Sequence, residues 1–113
     1  MHEVGIMQEA ILAAERQAKG RGATRIHRLK LRIGQLSGVV PESLEFAFEV
    51  VGRGTLAEGA ILDIERVPAA FWCARCQREF ECEDFLAECP GCQEPAFELR
   101  RGREMELSSL EIS

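Results

Sequence analysis

The sequence contains Cys73-Ala74-Arg75-Cys76 and, after twelve intervening residues, Cys89-Pro90-Gly91-Cys92. Two Cys-x-x-Cys pairs at this separation match a zinc site made of four thiolates. In the second pair, Pro90 fixes φ and Gly91 tolerates a positive φ, as a tight turn requires. A segment of about 30 residues cannot bury enough apolar surface to fold alone, so a bound metal would supply the missing stability. The spacing therefore predicts a zinc-ribbon segment with a closed structural site.

Three other uses of these cysteines compete with zinc: disulfides, a redox dithiol and iron. The chain starts at Met1 without an apolar signal segment, which favours a reducing cytoplasm, where disulfides are rare. A catalytic Cys-x-x-Cys usually occurs once and beside a βαβ pattern. Iron stays open, because four thiolates suit both metals.

Composition limits the class of protein. A chain of 113 residues, 46% of them hydrophobic, is one domain or one small domain with a subdomain. No stretch approaches the roughly 20 apolar residues of a membrane span. The formal charge of −5 argues against nucleic acid or anionic lipid as the main partner.

Apolar periodicity predicts two helices and three strands outside the cysteine segment. Residues 3–19 carry an apolar stripe at helical spacing, and a second helix is expected to begin at Pro41. Residues 24–33 alternate between apolar and basic side chains, as a half-buried strand does, and residues 60–67 alternate between apolar and acidic ones. In a last strand over residues 105–112, the apolar parity slips at Ser108-Ser109, which predicts a β-bulge.

These elements predict an α+β fold in which two helices cover one face of a three-stranded sheet. The last strand follows the cysteine segment, so that segment is expected to be an insertion. The predicted division is an α/β domain of residues 1–68 plus 101–113 and a zinc-binding subdomain of residues 69–100.

His2 offers a second kind of metal site. The terminal amine of Met1, the amide nitrogen of residue 2 and the imidazole can close adjacent chelate rings, and planar nitrogen donors suit Ni(II) or Cu(II). Glu3 could add a carboxylate or a further amide nitrogen. An incidental terminal histidine is the more common explanation in an arbitrary protein.

Several features occur together: the opening Met1-His2-Glu3, the first helix, the spaced cysteine pairs, residues 34–42 (Gly-Gln-Leu-Ser-Gly-Val-Val-Pro-Glu) and residues 104–112 (Glu-Met-Glu-Leu-Ser-Ser-Leu-Glu-Ile). In this combination the chain resembles the HypA/HybF family of nickel metallochaperones over essentially its whole length.

The resemblance implies a cytoplasmic protein that carries Ni(II) as transferable cargo and zinc as a structural ion. It implies delivery of nickel to the large subunit of a [NiFe]-hydrogenase during maturation, together with the GTPase HypB. The α/β domain would be the nickel-binding one, with Met1, His2 and Glu3 at the nickel site. The implied zinc ligands are Cys73, Cys76, Cys89 and Cys92.

The chain departs from the family pattern at a few positions. Some members carry an acidic residue before the second helix, whereas here the nearest carboxylate is Glu42. Gln77 and Gln93 follow the cysteine pairs where some members have histidine.

Cys82 is expected in a strand, with exchange into the zinc site as the alternative. His27 shares the strand parity of the apolar residues and is expected on the apolar face with a structural role.

Two other functions compete with metal delivery. A zinc-ribbon nucleic-acid-binding or regulatory module would need a basic face, and only Arg28, Lys30 and Arg32 offer one. An enzyme is rejected, because four cysteines close the zinc shell and two histidines build no catalytic constellation.

Overall fold

The computed structural model describes residues 3–113 of the chain. Met1 and His2, two of the three predicted nickel ligands, lie outside the described residues. No helix within the described range is long and apolar enough to cross a membrane. In chain order the elements are α1 (Glu3–Gly20), β1 (Ile26–Gly34), α2 (Pro41–Val51), β2 (Ile61–Val67), β3 (Ala70–Cys73), β4 (Arg78–Glu81), β5 (Glu98–Arg101) and β6 (Met105–Ile112).

The first sheet has the order β2-β1-β6 and is covered by both helices. β1 runs parallel to β2 and antiparallel to β6, and α2 provides the long connection that a parallel pair needs. Leu29, Leu31 and Ile33 of β1 are buried in one core with Met7 of α1 and Leu44 of α2. The predicted α+β class, with helices on a three-stranded sheet, is confirmed.

The predicted bulge in β6 is confirmed at Ser108. Lys30 pairs with Ser109 and Leu31 with Leu107, so Ser108 has no opposite residue on β1. Its hydroxyl donates to the carbonyl of Lys30 at 3.4 Å. The extra residue explains why the apolar parity of β6 slips at this point.

A second irregularity makes the prediction for His27 wrong. Ile26 pairs with Ile112 and Arg28 with Glu111, so His27 is an extra residue on β1. Its side chain is therefore exposed instead of lying on the apolar face, and Nε2 is 2.6 Å from the hydroxyl of Ser113.

The basic face of β1 is neutralised within the sheet. Acidic side chains on both neighbouring strands stand opposite the three basic ones, with nitrogen–oxygen distances from 2.6 to 3.5 Å. The pairs are Arg28 with Asp63 and Glu111, Lys30 with Glu65, and Arg32 with Glu65 and Glu106. The basic face of β1, which could have met phosphates, is thus occupied by carboxylates.

The second sheet has the order β4-β3-β5, and its strands lie between β2 and β6 in the chain. A small separate core of Ala69, Phe71, Ala87 and Ala96 packs beneath it. Each of its strands has only four residues, too few to show periodicity, and the sequence did not predict them. Leu36, from the loop after β1, packs against this small core and so joins the two sheets.

Candidate metal centre

The structure brings together the four cysteines expected to bind zinc. Their sulfur atoms all lie within 4.8 Å of one another. The Sγ atoms of Cys73 and Cys92 are 3.6 Å apart, and those of Cys76 and Cys89 are 3.8 Å apart. A tetrahedral zinc with Zn–S bonds of about 2.3 Å holds its sulfurs about 3.8 Å apart. The cluster therefore fits a thiophilic ion in tetrahedral coordination, and the geometry is consistent with zinc.

The two cysteine pairs form turns with the same hydrogen bonds. The backbone N–H of Gln77 donates to the carbonyl of Cys73, and that of Gln93 donates to the carbonyl of Cys89, both at 2.8 Å. Gln77 and Gln93 have φ of 55° and 60°, a left-handed conformation that non-glycine residues rarely adopt. Each glutamine therefore closes the turn that aims one pair of sulfurs at the common centre. This role was not predicted from the sequence, although the position directly after Cys-x-x-Cys was its signal.

Backbone amides also point at the sulfurs. The N–H of Cys76 donates to Sγ of Cys73 at 3.3 Å, and that of Gly91 donates to Sγ of Cys89 at 3.4 Å. Burial raises the pKa of Cys89, but the backbone N–H groups of Cys92 and Gly91 stabilise its thiolate and bring the pKa to about 6.

The four thiols cannot all ionise without a cation. Hydrogen bonds to the sulfurs of Cys92 and Cys89 raise the pKa of Cys76 to about 12, because its proton is shared with neighbouring thiolates. A divalent ion replaces that proton and neutralises the crowded charge. With four sulfurs around one point, no position is open for substrate, so the site suits a structural metal.

The fifth cysteine lies apart from this centre. Cys82 directly follows β4, and its backbone N–H donates to the carbonyl of Ala69 at 3.1 Å, continuing the ladder between β3 and β4. Its side chain is half-buried against the small core, and its Sγ lies 3.6 Å from the carbonyl oxygen of Asp84. Cys82 was expected within a strand, but β4 ends one residue earlier, at Glu81. It is absent from the four-sulfur cluster.

Glu3, the third predicted nickel ligand, starts α1 and faces the start of α2. Its Oε2 lies 3.4 Å from the backbone N–H of Val40, a long hydrogen bond. Glu3 and Glu42 line one open cleft of about 680 Å³ together with Ser43 and the exposed ring of Phe46. The carboxylates of Glu3 and Glu42 thus belong to the same concave surface.

The whole chain matches one protein family. A family model described as hydrogenase/urease nickel incorporation, metallochaperone, HypA, matches residues 1–112. The chain belongs to the HypA family. Among HypA relatives, the hydrogenase maturation factor HypA of Picosynechococcus sp. is 50% identical over 112 residues, and that of Geobacter sulfurreducens is 42% identical over the same length. Each alignment covers 99% of this chain and 99% of the relative.

Solved HypA structures share the fold. The solution structure of the nickel metallochaperone HypA from Helicobacter pylori aligns with a TM-score of 0.69 at 29% identity, covering 99% of this chain and 97% of that one. A second solution structure of a HypA protein aligns with a TM-score of 0.74 at 29% identity, covering 100% of this chain and 97% of that chain. HypA proteins are nickel metallochaperones of hydrogenase maturation and not enzymes, which confirms the predicted family and the predicted lack of catalysis.

Proposed function

We propose that this HypA protein carries Ni(II) on Met1, His2 and Glu3 and releases it to the large subunit of a [NiFe]-hydrogenase. The observation that carries the proposal is the family match over residues 1–112, which includes a histidine at position 2. A terminal amine, amide nitrogens and an imidazole together form a planar nitrogen set that suits Ni(II).

The surroundings of Glu3 support a transfer site. Within residues 3–113, its carboxylate accepts one hydrogen bond, the long one from the backbone N–H of Val40, so turning toward an ion would cost little there. The cleft that it shares with Glu42 is open, which would let a partner protein reach cargo bound beside it. Glu42, which lines the same cleft, offers a second carboxylate for the ion or for that partner.

We propose that the four-cysteine centre holds zinc permanently and takes no part in transfer. A carrier must release its ion, whereas four thiolates enclose theirs on every side. Because Cu(II) outranks Ni(II) in the Irving–Williams order, nickel selectivity would come from metal availability and from the partner. The two roles correspond to a division into a nickel-binding domain (residues 1–68 plus 101–113) and a zinc-binding subdomain (residues 69–100).

The proposed setting is the cytoplasm, where the GTPase HypB acts with this protein in loading the hydrogenase. Membrane and nucleic-acid partners are not part of the proposal. The alternative of a nucleic-acid-binding ribbon has little support, because the basic residues of β1 are paired with carboxylates. From Cys73 to Leu99 there are seven acidic residues against two arginines, which repels phosphate.

Titration with Ni(II) tests the assignment. The protein with its native terminus, His2→Ala and His27→Ala are compared, with zinc content measured in parallel. We expect His2→Ala to lose nickel binding and keep its zinc, while His27→Ala binds nickel as the parent does. Equal nickel affinity in the parent and in His2→Ala would overturn the assignment of His2.

A further inference from the structure

The segment around the second cysteine pair carries an exposed apolar cleft that neither metal site uses. Residues 85–88 and residues 95–97 line this cleft, which encloses about 250 Å³. Leu86 and Phe97 are 90% and 88% exposed, and Phe85 is 57% exposed. We call it the apolar cleft. Large apolar side chains gathered in one exposed place usually mark an interaction surface.

The apolar cleft is held in shape by backbone pairing next to the metal centre. The N–H of Ala96 donates to the carbonyl of Ala87 at 2.9 Å, and Glu88 forms an isolated bridge with Pro95. Ala87 and Ala96 are buried in the small core, so they fix the backbone while their neighbours point outward. The exposed rings and the leucine therefore add little to the core, and their exposure has no evident structural benefit.

The charged residues of the segment that forms the apolar cleft all have one sign. From residue 81 to residue 98 the chain has six acidic residues and no lysine, arginine or histidine. Glu94 and Glu98 are paired with Arg75 and Arg100. Within residues 3–113, no ion pair involves the other four, which are Glu81, Glu83, Asp84 and Glu88.

Arg103, which lies outside this segment, places its guanidinium at the edge of the apolar cleft. The guanidinium of Arg103 stands over the ring of Phe85 at 5.6 Å from its centre. This is a loose cation–π contact at an exposed site, and it shows that the ring face accepts a positive group. A single arginine does not neutralise the unpaired carboxylates around the cleft.

We propose that the apolar cleft binds a segment of a partner protein in which apolar side chains are flanked by lysine or arginine. The apolar groups would cover Leu86 and Phe97, and the basic groups would pair with Glu83, Asp84 and Glu88. A second copy of this chain would bring the same acidic rim and be repelled, and an anionic membrane would be repelled for the same reason. This surface is separate from the proposed nickel site and does not depend on it.

The test uses the zinc-loaded full-length protein and a fluorescent peptide in which lysine and arginine alternate with leucine and phenylalanine, followed by anisotropy. Two control peptides replace leucine and phenylalanine with serine, or the basic residues with glutamate. The cleft variant combines Leu86→Ser and Phe97→Ser. Leu12→Ser is its matched control, because Leu12 is 49% exposed on α1, away from both clefts. A charge variant combines Glu83→Gln and Glu88→Gln.

We expect the cleft variant to bind the basic-apolar peptide at least about tenfold more weakly than the parent, as loss of central apolar contacts does in other interfaces. The charge variant should bind more weakly and with less salt dependence, while Leu12→Ser should bind like the parent. Equal binding by the cleft variant would overturn the proposal. So would equal binding of either control peptide, or a concentration-dependent dimer that the cleft variant abolishes in sedimentation.

Discussion

Gly34 and Gly102 lie backbone against backbone where the first sheet meets the second. A Cβ added to Gly34 would overlap the carbonyl group of Gly102. Gly102 has φ of +124°, and a Cβ there would lie 2.8 Å from Cα of Ala69. The N–H of Leu36 donates to the carbonyl of Gly102 at 2.7 Å, and Oε1 of Gln35 accepts from the N–H of Ala69 at 3.0 Å. At Gly34 and Gly102 the two sheets thus meet through backbone contacts that leave no room for a side chain at either position.

Gly34→Ala should destabilise this junction. The added methyl group meets backbone atoms, which cannot rotate away, so we expect a loss of about 2–3 kcal/mol in the free energy of unfolding. Urea denaturation at a fixed free-zinc concentration measures it. Gly20→Ala is the control, because nothing lies within 4 Å of that added Cβ. Equal stabilities of the two variants would show that the junction tolerates a side chain.

Cys76→Ser should remove the metal from the four-sulfur centre. We expect resistance to a competing chelator to fall by more than about 100-fold, because loss of an outer-shell partner alone already costs 10–100-fold. Hydrogen exchange should show lost protection in β3, β4 and β5 and retained protection in β1. Cys82→Ser is the matched control and should keep its zinc. Zinc loss in both variants would place Cys82 in the centre and contradict the assignment.

Gln93→Gly should stabilise the zinc-binding turn. Glycine adopts φ of 60° without the steric penalty that glutamine carries, so we expect a gain of about 0.5–1 kcal/mol in the free energy of unfolding. Thermal unfolding of the zinc-loaded protein measures it. Gln17→Gly, on the exposed side of α1, should have the opposite sign and cost about 1 kcal/mol. A destabilised Gln93→Gly would mean that the glutamine side chain has a role of its own.

Glu65→Gln should make the free energy of unfolding depend less steeply on pH in acid. Hydrogen bonds from Lys30 and Arg32 lower the pKa of Glu65 below its ordinary value of 4.5. A folded-state pKa below the unfolded one contributes stability above the unfolded pKa, which is lost as the pH falls through the folded pKa. The parent should therefore lose stability below pH 4.5 more steeply than Glu65→Gln, measured as urea midpoints against pH. Glu45→Gln on α2 is the control and should follow the parent.

An extension on Met1 should weaken nickel binding. The extension converts the terminal amine into an amide, whose nitrogen is a poorer ligand for Ni(II). The proposed chelate would then no longer lie at the chain end. Calorimetry with Ni(II) before and after proteolytic removal of the extension measures the change, and zinc content should stay constant. The same extension placed after Ser113 serves as the control. An Ni(II) affinity that is the same with and without the N-terminal extension would argue against a terminal amine among the ligands.

Features that depend on a single strand or a single turn could be predicted from the sequence. Alternation in β1 predicted that Leu29, Leu31 and Ile33 enter the core, and the parity slip at Ser108-Ser109 predicted the bulge, because both are local patterns. The cysteine spacing predicted the four-sulfur cluster for the same reason. Helix α2 begins at Pro41 as predicted, since proline fits the first helical turn.

Features that depend on pairing between distant segments could not be predicted. The position of His27 depends on a bulge that exists only because Ile26 and Arg28 pair with particular residues of β6. The carboxylates opposite Arg28, Lys30 and Arg32 are fixed by strand order and register, which periodicity does not define. The close approach of Gly34 and Gly102 likewise arises only when the two sheets are assembled.

The place of β6 in the chain couples the two halves of the molecule during folding. The four cysteines of the metal centre lie between β2 and β6, and β6 completes the first sheet beside β1. The cysteine segment is therefore part of the loop that closes when β6 pairs with β1, and a compact, zinc-loaded ribbon shortens the flexible part of that loop. Zinc bound at the four cysteines would thus lower the entropy cost of completing the half of the molecule that is proposed to carry nickel.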